Sequence, residues 1–136
     1  MPYSLDLAAS ARRHFGAAEH LNDAEARPLR RDVAGYLYGI AGECALKQIM
    51  RESGIRPIAD RRSDPFYAHF PELKTLLRDC IQGRHAGVLR QFAEDDGLMN
   101  EWDTDMRYAP GKQIQTRFVV RWREHAHKLV HAMETP

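Results

Sequence analysis

The chain has almost no net charge: 20 basic residues face 19 acidic ones over 136 positions, leaving +1. Attraction to nucleic acid or to an anionic membrane through the overall field needs a clear excess of lysine and arginine, so any such contact here has to be a local patch. Long apolar runs are missing too, and none approaches the roughly 20 residues of a membrane span. The opening Met1-Pro2-Tyr3-Ser4 has neither a basic nor an apolar signal region, so no secretory signal is expected and the chain reads as cytoplasmic. Cysteine is scarce. Cys44 and Cys80 both fall in helical patterns and are expected to be buried thiols rather than a disulfide or a metal pair. There is no Cys-x-x-Cys, no His-Glu-x-x-His, no glycine-rich phosphate loop and no Gly-x-Ser-x-Gly elbow. Neither a metal nor a cofactor is expected. Strand-type alternation, internal repeats and low-complexity tracts are absent as well, which removes all-β, solenoid and disordered readings.

What remains is helical periodicity. Residues 4–22 carry Ala8, Ala11, Phe15, Ala18 and Leu21 at spacings of three and four, with Ser4 as the expected N-cap and Asp6 in the first turn. Arg27-Pro28 ends that helix, and Pro28 suits the first turn of the next, which runs to Glu52 with a stripe of Leu29, Val33, Leu37, Ile40, Cys44 and Ile49. A charged loop follows from Ile55 to Pro65. A third helix spans 72–82, with Leu73, Leu76, Leu77 and Cys80 on one side, and Gly83 marks its break. A short fourth helix holds Val88, Leu89 and Phe92. Residues 98–111 form a loop whose Trp102 and Tyr108 suggest that it folds back onto the body. The last helix, 112–133, has Ile114, Phe118, Trp122, His125 and Leu129 as its core stripe. The expected architecture is an all-α, up-and-down bundle of four to five helices in a single domain over residues 1–136.

The most apolar stretch, Tyr36 to Lys47, carries a glutamate at its centre and glycines at 39 and 42, with Gly35 directly before it. Each glycine costs up to about 1 kcal/mol against alanine in a helix interior, a cost offset if another helix comes close there. Glu43 is expensive to bury unless paired. Two readings are open. In one, Lys47 covers it as an ion pair at the border of the core, in the favoured Glu-before-Lys order. In the other, Glu43 anchors a polar loop and Arg107 is its mate.

The last helix concentrates arginine and histidine from Arg117 to His131. A di-iron bundle needs two Glu-x-x-His tetrads, and the chain has one, Glu124 to His127. Metal-free RNA cleavage is a chemistry such residues can support, an imidazole moving the 2′-hydroxyl proton while a guanidinium holds the phosphate. At about 100° per residue, Arg121 and His125 share a side, whereas His127 points away from the core beside Val120, Arg123 and His131. His125 then reads as a core-edge histidine bonded to a partner. The outward face is either solvated or a subunit interface.

The run Tyr38-Gly-Ile-Ala-Gly-Glu-Cys-Ala-Leu-Lys47, the first helix of Ala-x-Arg-His-x-x-x-Ala-x-x-Leu type, His69-Phe-Pro-Glu-Leu73, and Trp102 followed by Arg107-Tyr108 together resemble the HEPN-like helical proteins of bacteria. The resemblance implies a bundle that forms a homodimer and acts beside a nucleotidyltransferase, or in toxin–antitoxin and anti-phage defence, with nucleotide or RNA as ligand. It implies a polar centre of Glu43, Lys47, Trp102, Arg107 and Tyr108. Some members are metal-independent endoribonucleases with an Arg-x(4–6)-His motif acting across the dimer. In the last helix, Arg121-x5-His127 has that spacing, with His125 as the alternative base. Two departures weigh against cleavage. Trp122 follows the arginine where active members usually carry a polar residue, and Lys128 and Leu129 stand where a modifiable tyrosine is usual.

Overall fold

The computed structural model describes residues 3–81 and 87–135. Five α-helices, α1 (Leu7–Asn22), α2 (Arg31–Glu52), α3 (Glu72–Cys80), α4 (Gly87–Ala93) and α5 (Thr116–Glu134), are joined by loops with short 3-10 turns, and no strand occurs among the described residues. The all-α bundle is thus the observed architecture. One hydrophobic core draws on all five helices, from Ala11 of α1 through Leu73 of α3 and Leu89 of α4 to Leu129 of α5. No helix among the described residues is long and apolar enough to cross a membrane.

Direction follows from the pairs that meet. Tyr38 of α2 donates to Glu19 of α1 at 2.8 Å, and Arg30, just before α2, returns a backbone bond to Leu21 at 3.1 Å, so α1 and α2 are an antiparallel hairpin. Arg123 of α5 holds Glu19, while Glu134 at the other end holds Arg12, so α5 is also antiparallel to α1. Consequently α2 and α5 run parallel, with Gly35 beside Val119 and Trp122 and Gly42 beside Leu129. The long return between them carries α3 and α4.

Caps correct the expected boundaries. Asp6, not Ser4, accepts from the Ala9 N–H at 3.0 Å and starts α1. Pro28 lies in the connection, and α2 begins three residues later. The break at Gly83 lies outside the described residues. Neither Cys44 nor Cys80 is in a disulfide, and both are half-buried rather than buried.

The larger correction concerns which face of α2 is buried. Leu29 and Val33 are exposed, and Leu37, Ile40 and Cys44 are only half-covered. The fully covered face is Ala34, Gly35, Tyr38, Gly39, Ala41, Gly42, Ala45 and Leu46. Small residues win because two parallel helix backbones and a tryptophan approach there more closely than leucines allow. A Cβ on Gly39 would sit 1.9 Å from the Trp102 ring, and one on Gly42 would sit 2.9 Å from the Met99 methyl. The glycines therefore do admit close neighbours, although at Gly39 the neighbour is a loop side chain, not a helix.

That loop is rooted deeply. Trp102 is buried, shares its indole N–H between the Gly35 and Tyr36 carbonyls at 3.2 and 3.3 Å, stacks on Tyr36 and meets Phe70 edge-on. Trp122 of α5 donates to the Asn100 carbonyl at 2.8 Å. Between these anchors Met99 and Glu101 adopt φ of 55° and 70°, a left-handed conformation costing of order 1–3 kcal/mol per residue without glycine. Burial of two indoles, 150–250 Å² each as a rough rule, offsets it.

Candidate functional site

Glu43 lies on the covered side of α2, 3% exposed. Its carboxylate accepts from His69 Nδ1 at 2.8 and 3.2 Å and from the Phe70 N–H at 2.9 Å. Burial pushes this carboxyl above the usual carboxylate range, and the hydrogen bond from His69 works against that rise, as do the Lys47 charge and the Phe70 N–H. Arg107 is not among its partners. The expected Glu43–Arg107 pair does not form: the 69–70 turn supplies the donors on Glu43, while Arg107 bonds within its own loop to the Thr104 carbonyl. Glu43 thus anchors a polar loop, but a different one from the loop expected. With its Nδ1 proton committed to Glu43, the half-exposed His69 is held in one tautomer and orientation.

Lys47, one turn further along α2, is 9% exposed. It feels the charges of Glu43 and Asp64, yet makes neither a hydrogen bond nor a close ion pair among the described residues, and burial lowers its pKa from the ordinary lysine value. The ion pair expected with Glu43 is therefore only a longer-range attraction. Lys47 instead lines a cavity of about 720 Å³. Asp64, fully buried, shapes the neighbouring wall by accepting from the Ile58 and Phe66 N–H groups at 3.1 and 3.0 Å.

Arg107 and Tyr108 sit on the outer side of the rooted loop. The guanidinium donates to the Thr104 carbonyl at 3.0 Å and lies over two rings, 5.2 Å from Tyr108 and 6.0 Å from Tyr36. Tyr108 is 79% exposed. A shallow cavity of about 330 Å³ runs beside this arginine, lined also by Arg30, Val33, Met106 and Ile114. The five residues expected to form one polar centre are therefore distributed. Glu43 connects to Arg107 through Phe70, Trp102 and Tyr36, while Lys47 opens onto a separate cavity.

In α5 the helix period places Arg121 and His127 on different sides. Arg121 lies 5.8 Å over the Phe118 ring, whereas His127 faces α1 at 6.1 Å from Phe15 and stacks on His131. One chain does not bring them together. His125 behaves as the bonded core-edge histidine: its Nδ1 accepts the Met99 N–H at 3.0 Å, and burial lowers its pKa. The face expected to point outward is partly engaged, since Arg123 holds Glu19 at 2.5 and 3.1 Å. That bond, more than any other influence, holds Glu19 below the usual carboxylate range. Among the described residues, no cluster of three histidine, cysteine or acidic side chains is placed to hold a metal.

In the sequence His69 stands out only as part of the His69-Phe-Pro-Glu-Leu73 motif, and nothing marks Asp64, Arg51 or Arg56 as functional. The His69–Glu43 contact spans 26 positions between elements of different type, which no helical period reveals. Asp64 before Pro65 is a loop-type dipeptide, and nothing in it signals burial. Compared with known proteins, the chain matches no family model, no curated protein and no solved structure.

Proposed function

We propose that this chain is a HEPN-like helical binding module that forms a homodimer and acts with a nucleotidyltransferase-type or defence partner, taking a nucleotide or single-stranded RNA on the face built by Tyr36, Arg107 and Tyr108. The observation that supports this reading is the guanidinium of Arg107 held over two tyrosine rings on a loop fixed by Trp102. A planar cation and an exposed ring set in advance are what base stacking and phosphate contact require. Arginine and tyrosine are also enriched among residues that dominate protein interfaces. The alternative, a metal-independent endoribonuclease, needs Arg121 and His127 to meet across two chains and rests on their spacing alone.

Two measurements test the proposal. Sedimentation equilibrium should give twice the 15.6 kDa chain mass. Calorimetric titration with a nucleoside triphosphate should show saturable binding that Arg107→Ala weakens by about tenfold or more, with no loss of thermal stability. A monomer whose nucleotide affinity is the same in wild type and Arg107→Ala would refute it.

A further inference from the structure

The cavity beside Lys47 belongs to a different part of the surface from the Arg107 face, and its lining is unusual in sign. Lys47, Arg51 and Arg56 all contribute, and no acidic residue does. None of the three side chains has a hydrogen bond or close ion pair among the described residues, and Arg51 and Arg56 are exposed. Arg12, Arg30 and Arg123 show the contrast of an exposed arginine held by a carboxylate. Lys47 is the telling member. The residue as a whole is nine-tenths buried, and a buried charge without a partner is costly. No buried side-chain nitrogen or oxygen among the described residues is left without a partner, so the Lys47 ammonium meets solvent, at the cavity it lines.

The rest of the lining is apolar. Leu7 of α1, Ile55 after α2 and Phe66 of the Asp64-braced turn form the inner wall. Tyr3, Leu5 and Tyr67 form the rim, and all three are among the largest exposed apolar side chains of the protein. At about 720 Å³ the space lies within the roughly 300–1,000 Å³ that small-molecule sites occupy. Charge and wall specify different parts of one occupant. The cations call for an anion, and the wall calls for an apolar body long enough to cover the exposed rim.

We infer that this cavity is a binding site for a small amphipathic organic anion, a carboxylate or phosphate monoester whose head group contacts Lys47, Arg51 and Arg56 and whose apolar body lies against Leu7, Ile55 and Phe66. An inorganic anion leaves the wall uncovered, and an amphipathic cation meets three like charges.

The test is calorimetric titration of the full chain with octanoate, octyl phosphate, octylamine and inorganic phosphate. One or both octyl anions should saturate a single site, at least about tenfold tighter than octylamine and inorganic phosphate. The tighter octyl anion identifies the head group. Lys47→Met should fold with a melting temperature no lower than wild type, because burial disfavours the charge and methionine keeps the apolar stem, and should lose the octyl-anion affinity by about tenfold or more. Should Lys47→Met not fold, the exposed pair Arg51→Ala/Arg56→Ala carries the same test and should weaken binding several-fold. The inference is overturned if neither octyl anion saturates, or if octylamine or inorganic phosphate binds as tightly. Unchanged affinity in folded Lys47→Met, or in the Arg51→Ala/Arg56→Ala variant, also overturns it.

Discussion

Gly39→Ala isolates the packing on which the fold and the Arg107 face both depend. The added methyl would lie 1.9 Å from Cε2, 2.0 Å from Nε1 and 2.5 Å from Cζ2 of Trp102. Ordinary carbon contacts are about 3.5–4.0 Å, so the indole must retreat by about 1.5 Å or more. It cannot do so and keep its N–H on the Gly35 and Tyr36 carbonyls or its stack on Tyr36. Overpacking of this kind costs about 1–3 kcal/mol, and a buried donor left without a partner adds about 1–3 kcal/mol. Alanine's better helix propensity returns about 1 kcal/mol. The net expectation is a loss of about 1–5 kcal/mol, and the middle of that range lowers the melting temperature of a domain of this size by roughly 10 °C. Urea denaturation followed by tryptophan fluorescence measures the loss. Gly16→Ala in α1 is the control, because a Cβ there meets nothing within 4 Å, and it should stabilise by up to about 1 kcal/mol. If Gly39→Ala behaves like Gly16→Ala, the close approach of Trp102 to α2 is wrong.

Two titrations have opposite signs. Glu43 has a folded pKa above its unfolded value, so its contribution is full below the unfolded value and is lost as pH rises through the folded one; relative to Glu43→Gln, wild type should gain stability as pH falls out of neutrality into the carboxylate range. His125 has a folded pKa below the ordinary imidazole value, so its contribution is present above that value and is lost as pH falls through the folded one. Denaturation from about pH 7.5 to about pH 5 should therefore show a loss in wild type that His125→Gln reduces; equal slopes would count against the Met99–His125 bond. For the partly exposed Arg123–Glu19 pair, a double-mutant cycle with alanine and glutamine should give a coupling of about 0.5–1 kcal/mol, solvent screening holding it near the surface range. A coupling near zero would mean that the pair does not link α1 to α5.

The helices were legible because their periods and punctuation are local. Ala11, Ala18, Leu73, Leu77, Trp122 and Leu129 fall on the apolar stripes of the sequence and are buried. The α2 face was misread for a physical reason. Its covered side is mostly glycine and alanine as far as Ala45, with Tyr38 among them, and small residues carry little hydrophobic signal, while Leu29 and Val33 advertise a core they do not enter. The long-range polar contacts were partly legible. Glu43 had to find partners, but that they are His69 and the Phe70 N–H depends on how the 55–71 connection folds over α2. Lys47 looked like the natural cover for Glu43 from its spacing, whereas its ammonium opens onto the cavity. The sequence suggests one folded-back loop for Trp102 and Tyr108, and the structure divides them into a buried root and an exposed tip.

The central functional claim is that the Tyr36, Arg107 and Tyr108 face binds a base-bearing ligand without cutting it. Its most direct test is anisotropy of a labelled single-stranded RNA titrated with the protein in EDTA, with the same RNA then checked for length. Saturable binding of intact RNA, weakened about tenfold or more by Arg107→Ala and unaffected by His127→Ala, is the expected result. RNA that is shortened by wild type and spared by His127→Ala, or that binds Arg107→Ala as tightly as wild type, would contradict it.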